Sequence, residues 1–437
     1  MITLGTQFQQ RRLTLIDRRN LHGGGIAVIP TANEVMRNSD VGFSFRPDSN
    51  FHYLTGFSEP GAVLVIVAGE KPQTILFCRE KDPDKEIWDG FRFGPAAACE
   101  QFAFDAAYAL TELDERLTAL IAEQPTLWYP IGRDPAWDLR INQVLAMVRA
   151  QARSGQRAPD AVRDVCTSLA AMRLIKDETE IAMMRRAATI SAGAHARAMR
   201  FVKPGLNEFE VEAELLHEFR RHGCDSPAYT SIVAGGANAC VLHYLANNQT
   251  LNDGDLLLID AGGELDGYAS DITRTFPVNG KFSGAQAAIY SVVLESQRAA
   301  IASIVPGANF MTPHDTAVKV LAQGMLDLKL LSGSLDGVLE SESYKRFYMH
   351  RTGHWLGRDV HDAGDYKLGD AWSPLKPGMA LTVEPGFYVR PAADVDKAFW
   401  NIGIRIEDDV AVTETGSEVL SVAAPKTIAD IEAWMRG

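Results

Sequence analysis

Four acidic residues stand where a carboxylate is expensive. Asp260 closes the apolar run "LLLID", Asp271 lies inside "YASDITRTF", Glu384 follows "MALTV" and precedes Pro385, and Glu407 follows "NIGIRI". An ionised carboxylate in apolar surroundings without a partner costs several kcal/mol, so each of these calls for a compensating cation. Any one of them alone reads as a strand-end residue turned to water or paired with an arginine such as Arg274 or Arg405. Together they fall into two pairs, one in an early hairpin and one in a late hairpin, as if half a site had been duplicated. Histidines strengthen the case. His243 is one, and "MHRTGHWLGRDVHDAG" holds His350, His354 and His361, with Gly353 and Gly357 leaving room for close approach. A lone histidine is ordinarily a surface or satisfied core residue; beside a group of embedded acids it points to metal binding or acid–base work. Carboxylates with one or two imidazoles make a hard, oxygen-rich donor set that suits Mn(II), Mg(II), Co(II) or Fe(II) better than a thiolate-built structural zinc. The acids also exceed what one ion needs. Two divalent ions about 3.5 to 4 Å apart, sharing carboxylates and a hydroxide, balance the charge and lower the pKa of water for attack on a carbonyl or a phosphorus. Hydrolysis is the chemistry expected.

The elements that must position these residues divide the chain in two. With 437 residues and 46% apolar content, it is too long for one ordinary core and has enough apolar side chains to fill two. The early part sets short apolar runs, "GIAVIP", "AVLVIVAG", "QTILFC" and "LWYPIG", beside helical stretches such as "ACEQFAFDAAYALTELDERLTALIAEQ", the pattern of a mixed α/β layer. A polar stretch from about 150 to 175, with Gly155 and Pro159, reads as the linker, which predicts an N-terminal domain over 1–172 and a second domain over 173–437. The second part opens with helices: Asp177 and Glu180 have capping-box spacing ahead of "IAMMRRAATISAGAHARAM", and "NEFEVEAELLHEFRRHG" ends at Gly223. Strand-like "SIVAGG", "LLLIDAGG" and "YASDITRTFPV", helical "GAQAAIYSVVLESQRAAIASI" and strand-like "ALTVEPGFYV" and "GIRIEDDVAVT" follow. Helices and hairpins are mixed without strict alternation, so the fold class expected is α+β.

Several functions are excluded or weakened. A formal net charge of -13 with no local basic patch disfavours nucleic acid and anionic membrane surfaces as partners. The five cysteines are scattered with no C-x-x-C spacing, which suggests neither a disulfide framework nor a zinc knuckle and fits a reducing cytoplasm. No apolar run has the length of a membrane span, and the polar start carries no export signal, so the chain is expected in the cytoplasm. "HEFRRH" places His217 and His222 five apart, off the common face that a zinc helix requires, and reads as an exposed helix. "LHGGGIAVIP" and "IVAGGANAC" match no phosphate-binding motif and read as turns. No G-x-S-x-G nucleophile elbow occurs.

With these residues in view, "IDAGGELDGYASDITRTFPVNGKF", "HRTGHWLGRDVHD", "TVEPGFYV" and "NIGIRIEDDV" resemble the proline-specific aminopeptidases, the Xaa-Pro aminopeptidase (aminopeptidase P) family. The likeness runs from about 170 to the end, and "SNFHYLTGFSEPGAVLVI" resembles that family's N-terminal domain. It implies a pseudo-twofold pita-bread catalytic domain, the duplication that the two acidic hairpins suggest on their own, and an N-terminal α/β domain serving substrate access and oligomer contacts. It implies that Asp260, Asp271, His354, Glu384 and Glu407 hold two divalent ions, most often Mn(2+), with Asp271 and Glu407 bridging. His243 and His361 match the residues that hold the scissile carbonyl and the proline side of the substrate. Glu384 doubles as proton shuttle between a metal-bridging hydroxide and the leaving nitrogen; Tyr388, Arg405 and His350 match supporting positions, with Arg405 pairing with a ligand carboxylate. Tyr229 matches the lining of the metal pocket, Asp40 a substrate-facing acid and Trp88 an aromatic reaching a partner's site, so a homo-oligomer, dimer or tetramer, is implied. Arg351 departs from the family pattern, where glycine is more usual, and touches the pocket rim on which peptide length or leaving-side preference depends. The activity implied is release of the N-terminal residue from peptides with proline second. The rivals are a dipeptidase of the prolidase type, a methionine aminopeptidase and a metal-free peptide-binding protein on the same scaffold.

Overall fold

The computed structural model describes residues 4–20 and 24–436. The first residues of the glycine-rich "LHGGG" stretch, 21–23, lie outside them. The chain forms two compact units, Met1–Ala170 and Ala171–Gly437. Among the described residues, no helix is long and apolar enough to cross a membrane.

The first unit is built on a six-stranded mixed sheet. Its spatial order is Ala106–Ala109, Gln73–Cys78, Val63–Ala68, Gly25–Pro30, Thr126–Tyr129, Ala161–Asp164. The central three strands pair antiparallel and the outer pairings are parallel. The central strands are buried almost end to end, as expected of near-continuous apolar runs covered on both faces. Helices Leu113–Ile121 and Pro135–Ala150 pack Leu117, Ile121, Val144 and Val148 against Ile26, Val28 and Val65.

Two expectations are corrected in this unit. The stretch read as one long helix is a helix over Gly94–Gln101, a strand over Ala106–Ala109 and a second helix over Leu113–Ile121. Ala103 takes a left-handed conformation, and the Asp105 carboxylate accepts from the backbone N–H (2.6 Å) and hydroxyl (2.7 Å) of Thr74, which seats an alanine-rich segment at the sheet edge against its helical propensity. The stretch read as a linker also contains structure. Ala161–Asp164 is the far edge strand, mostly exposed, which accounts for its polar composition, and Cys166–Leu174 is a helix.

The second unit repeats one order of elements: two helices, then paired strands. Helices Glu178–Phe201 and Glu208–Arg221 precede strands Ile232–Gly235, Leu256–Asp260 and Thr273–Pro277; helices Gly284–Ala302 and Thr312–Asp327 precede strands Ala380–Val383, Gly386–Val389, Ile402–Arg405 and Asp408–Val412. The helix over Glu178–Phe201 buries Met184, Ala187, Ala188, Ser191, Ala194, His195 and Ala198, a stripe at helical spacing. It opens with the expected capping box: the Glu180 N–H donates to Asp177 Oδ1 (2.9 Å) and the Asp177 N–H to Glu180 Oε2 (3.1 Å). Glu180 also accepts from the Tyr268 hydroxyl (2.8 Å), just upstream of Asp271, so this cap steadies the chain that leads into the site. Asp177→Ala should lower stability by about 1 kcal/mol in a urea titration, and an unchanged midpoint would refute the capping role.

Candidate active site

Asp260 is the last residue of its strand, whereas Asp271, Glu384 and Glu407 fall just outside strands, which refines the reading of acids carried inside strand-like segments. Strand Leu256–Asp260 pairs antiparallel with Thr273–Pro277, Asp260 opposite Thr273, and Asp271 falls just ahead of that partner. In the second hairpin Val383 pairs with Asp408 and Gly386 with Arg405, so Glu384–Pro385 and Ile406–Glu407 face each other across a shared interruption. Proline removes a ladder donor there, and release from the pleat frees both glutamates from strict alternation. Gly353 lets the histidine loop press against this hairpin: a Cβ at that position would meet the Thr382 carbonyl oxygen at 2.0 Å.

Asp271, His354 and Glu407 converge so that one donor atom from each lies within 4.8 Å of the others. Asp260 joins through Tyr229, whose hydroxyl donates to Asp271 Oδ1 (2.5 Å) and Asp260 Oδ1 (2.7 Å). Glu384 joins through His354, whose Nε2 lies 3.8 Å from Glu384 Oε1 and 3.4 Å from Asp271 Oδ2. His354 Nδ1 lies 3.0 Å from the Trp355 carbonyl oxygen; donation to that acceptor orients the ring and leaves Nε2 facing the acids, the usual arrangement of a metal-ligating imidazole. The two hairpins are tied at the same place: the Asp271 N–H donates to the Asp409 carboxyl (3.0 Å), the Glu407 N–H to the Thr273 carbonyl (3.0 Å), and Thr273 Oγ1–H to Glu407 Oε2 (2.7 Å).

Charge is far from balanced within this group. Burial, with the neighbouring Asp271, Glu384 and Asp260 charges added, pushes Glu407 well above the usual carboxylate range. Burial likewise raises Glu384 to about 7 against the pull of His354 and Arg405, and raises Asp260 despite Arg405. Asp271 goes the other way: burial opposes its ionisation, but hydrogen bonding and charge from His354 hold it below the ordinary value. His354 is correspondingly lifted to about 9, its burial outweighed by Asp271 and Glu384. Arg405, with Nη2 2.5 Å from Asp260 Oδ2, is the one arginine or lysine paired with these carboxylates among the described residues. A hard, acid-rich cluster that holds protons because it is buried and its charges repel is a donor set that divalent cations fit.

The remaining expected residues surround this group unevenly. The Tyr388 hydroxyl receives Arg405 Nη1 (3.1 Å) and lies 2.8 Å from His350 Nε2. Burial and the Arg405 charge take His350 down to about 3, so it is neutral at ordinary pH. The His361 ring stands edge-on to His354 at 4.4 Å between centroids. His243 is exposed, yet near enough that its charge opposes protonation of His350 and His361. Arg351 is exposed, with its guanidinium 5.3 Å from the Trp372 ring. Asp40 and Trp88 belong to the first unit; both are exposed, Trp88 at 87%. Arg274 pairs with none of the four carboxylates, although its Nη1 donates to the Glu407 carbonyl oxygen (2.5 Å). Its Nη2 donates to Asp408 Oδ1 (2.7 Å) in a fully buried pair, which closes the simple reading of it as their partner. Sequence reasoning missed Thr273 and Asp409. Each lies two residues from an acid already singled out, on the same face of an extended chain, and that spacing was the available signal.

Paired acids from two halves that repeat one order of elements, with an imidazole tethered through Nδ1, have the make-up of a metallohydrolase centre. Residues 182–414 match the model of metallopeptidase family M24 and residues 8–128 that of the aminopeptidase P N-terminal domain. The chain is 42% identical over 431 residues to the Xaa-Pro aminopeptidase of Escherichia coli, covering 98% of this chain and 97% of that one. Its structure superposes on that of aminopeptidase PepP from Pseudomonas aeruginosa with a TM-score of 0.97 at 46% identity, covering 100% and 99% of the two chains. The zinc-substituted aminopeptidase P of E. coli in complex with product gives a TM-score of 0.96 at 41% identity, covering 100% and 99%. The chain therefore belongs to metallopeptidase family M24, with the pita-bread fold and an aminopeptidase P type N-terminal domain. It is a hydrolase.

Proposed function

We propose that this chain is a Xaa-Pro aminopeptidase, releasing the N-terminal residue from peptides with proline in the second position. The observation that carries the reading is the convergence of Asp271, His354 and Glu407, with Asp260 and Glu384 alongside. Two divalent cations, manganese for preference, held by Asp260, Asp271, His354, Glu384 and Glu407 would polarise the scissile carbonyl and activate water at neutral pH. The protein's own groups do the rest. Glu384, ionised when the cations are held, takes a proton and passes it to the leaving proline nitrogen. His243 and His361 hold the scissile carbonyl and the proline side, a contribution of about 3 kcal/mol when such a donor is lost. Arg405 fixes Asp260, Tyr388 links Arg405 to His350, and Tyr229 spaces Asp260 from Asp271. Arg351 stands at the rim. Proline carries no N–H and fixes its own φ, so a pocket shaped for that imide favours it over other second residues.

In this proposal the N-terminal domain, 1–172, serves substrate access, and Asp40 and Trp88 act in a homo-oligomer, dimer or tetramer, in the cytoplasm. The test is a comparison of an Xaa-Pro-Yaa tripeptide with an Xaa-Pro dipeptide, with and without manganese. Tripeptide cleavage that releases the first residue and rises with manganese is expected. Activity on the dipeptide alone would instead identify a prolidase, and no bound divalent ion with no response to manganese would leave a peptide-binding protein.

A further inference from the structure

The loop between His354 and His361 is pinched at its base. The Asp362 N–H donates to the Trp355 carbonyl oxygen (2.9 Å), the oxygen that also lies 3.0 Å from His354 Nδ1. One backbone acceptor thus holds both ends of the loop, and the rings of His354 and His361 meet edge-on above it. The Asp362 side chain turns away from the site into a cluster of charges. Its Oδ1 accepts from Arg173 Nη2 (2.5 Å) and from the Asp359 N–H (3.2 Å), and its Oδ2 from Lys176 Nζ (3.0 Å). Arg173 also pairs with Asp359 (2.6 Å). The side chains of Asp362 and Lys176 are 1% exposed and that of Arg173 3%. The two cations, after burial is counted, hold Asp362 below the usual carboxylate range. Gly357 closes against this clamp: a Cβ there would lie 2.2 Å from Asp362 Oδ2, so the loop's path is fixed on both sides.

Burying such charges is poor economy for stability alone, because well-packed apolar residues often serve as well or better. What this buried ion cluster does provide is a fixed placement, since Arg173 bonds one Asp362 carboxylate oxygen and Lys176 the other. His361 is exposed, with its ring edge-on to that of His354, while its neighbour Asp362 is buried and held through its N–H and both carboxylate oxygens.

We propose that Asp362, clamped by Arg173 and Lys176, is a positioning residue that sets the His361 imidazole for the substrate. The inference rests on the reading of His361 as a substrate contact. The test is a double-mutant cycle in the full-length, metal-loaded enzyme with Asp362→Asn and His361→Ala, following kcat and KM separately, with bound metal and thermal midpoint measured for each variant. Asp362→Asn keeps the shape and removes the charge. It should lower kcat/KM by about tenfold to hundredfold, divided between kcat and KM as in His361→Ala, with metal content unchanged. In the His361→Ala background it should change kcat/KM by less than about twofold. An equal loss in both backgrounds would make the clamp merely structural and overturn the proposal, as would an Asp362→Asn enzyme of full activity. Loss of metal would overturn it too, by moving the effect to His354. If Asp362→Asn shows no cooperative unfolding, Lys176→Met, which spares the Arg173–Asp362 pair, goes through the same cycle under the same criteria. Full activity in His361→Ala alone would remove the reading of His361 and the clamp with it. An impaired His361→Ala with additive losses would remove the clamp only.

Discussion

Asp271→Ala gives a folded chain that has lost metal and about a thousandfold or more of its peptidase activity. Asp271 is the acid on which the other groups converge: one oxygen receives Tyr229, the other faces His354 Nε2, and its N–H reaches Asp409. In the proposed site it would help to hold the metal ions, so its loss would weaken their binding. Lewis-acid stabilisation is worth several kcal/mol, and each 1.36 kcal/mol is about tenfold in rate, which sets the size of the loss. Folding survives because the acids repel, so removing one relieves the cluster while Tyr229 keeps Asp260. Elemental analysis, a melting curve of the metal-free variant against the metal-free parent, and kcat on a tripeptide measure the three parts. Undiminished metal with full activity would overturn the assignment.

Metal affinity should climb steeply with pH, by about a thousandfold between pH 6 and 8. The signs follow from His354 and Glu384, and Glu407, pushed well above the usual carboxylate range, acts in the same sense, so a thousandfold is the smaller bound. His354, lifted to about 9 in the metal-free protein, carries a proton throughout that range and must release it before Nε2 can coordinate. Glu384, raised to about 7, carries a second proton only below that point. One proton displaced gives about tenfold per pH unit and two give about a hundredfold, so the slope is steeper from 6 to 7 than from 7 to 8. The metal-free fold responds in the opposite sense. A histidine raised from 6.5 to about 9 contributes stability that is full below 6.5 and lost as pH rises through 9. Bound metal takes over as that contribution fades. Chelator competition at pH 6, 7 and 8, with calorimetry in two buffers of different ionisation enthalpy to count protons, would show this; an affinity flat with pH would reject it.

The parts of the site that announce themselves in the sequence are those whose chemistry conflicts with their surroundings. Carboxylates following "LLLI" or "MALTV" are conspicuous because apolar neighbours give them no local partner, and the three histidines of one short loop are conspicuous by density. Local hydrogen bonding is legible as well: Asp177 and Glu180 cap each other three residues apart, as read. What escapes is whatever depends on a distant partner. Asp362 looks like an ordinary loop acid until Arg173, 189 residues away, meets it. Thr273 is a strand threonine until Glu407 arrives from 134 residues further on. The strand at Ala106–Ala109 is the same lesson in the fold, since nothing in "FDAAYAL" opposes a helix, and pairing with Gln73–Cys78 decides. The strand breaks that release the acids were hidden for a related reason, because only Pro385 marks one of them and the others are set by register.

The proposed metal donors are split between the two halves of the second unit: Asp260 and Asp271 come from one, and His354, Glu384 and Glu407 from the other. During synthesis the first half leaves the ribosome with two carboxylates and none of the other three, a set too small to hold a pair of ions. On that reading a half-made chain has no complete site for peptides around it until its own second hairpin has been translated and has docked.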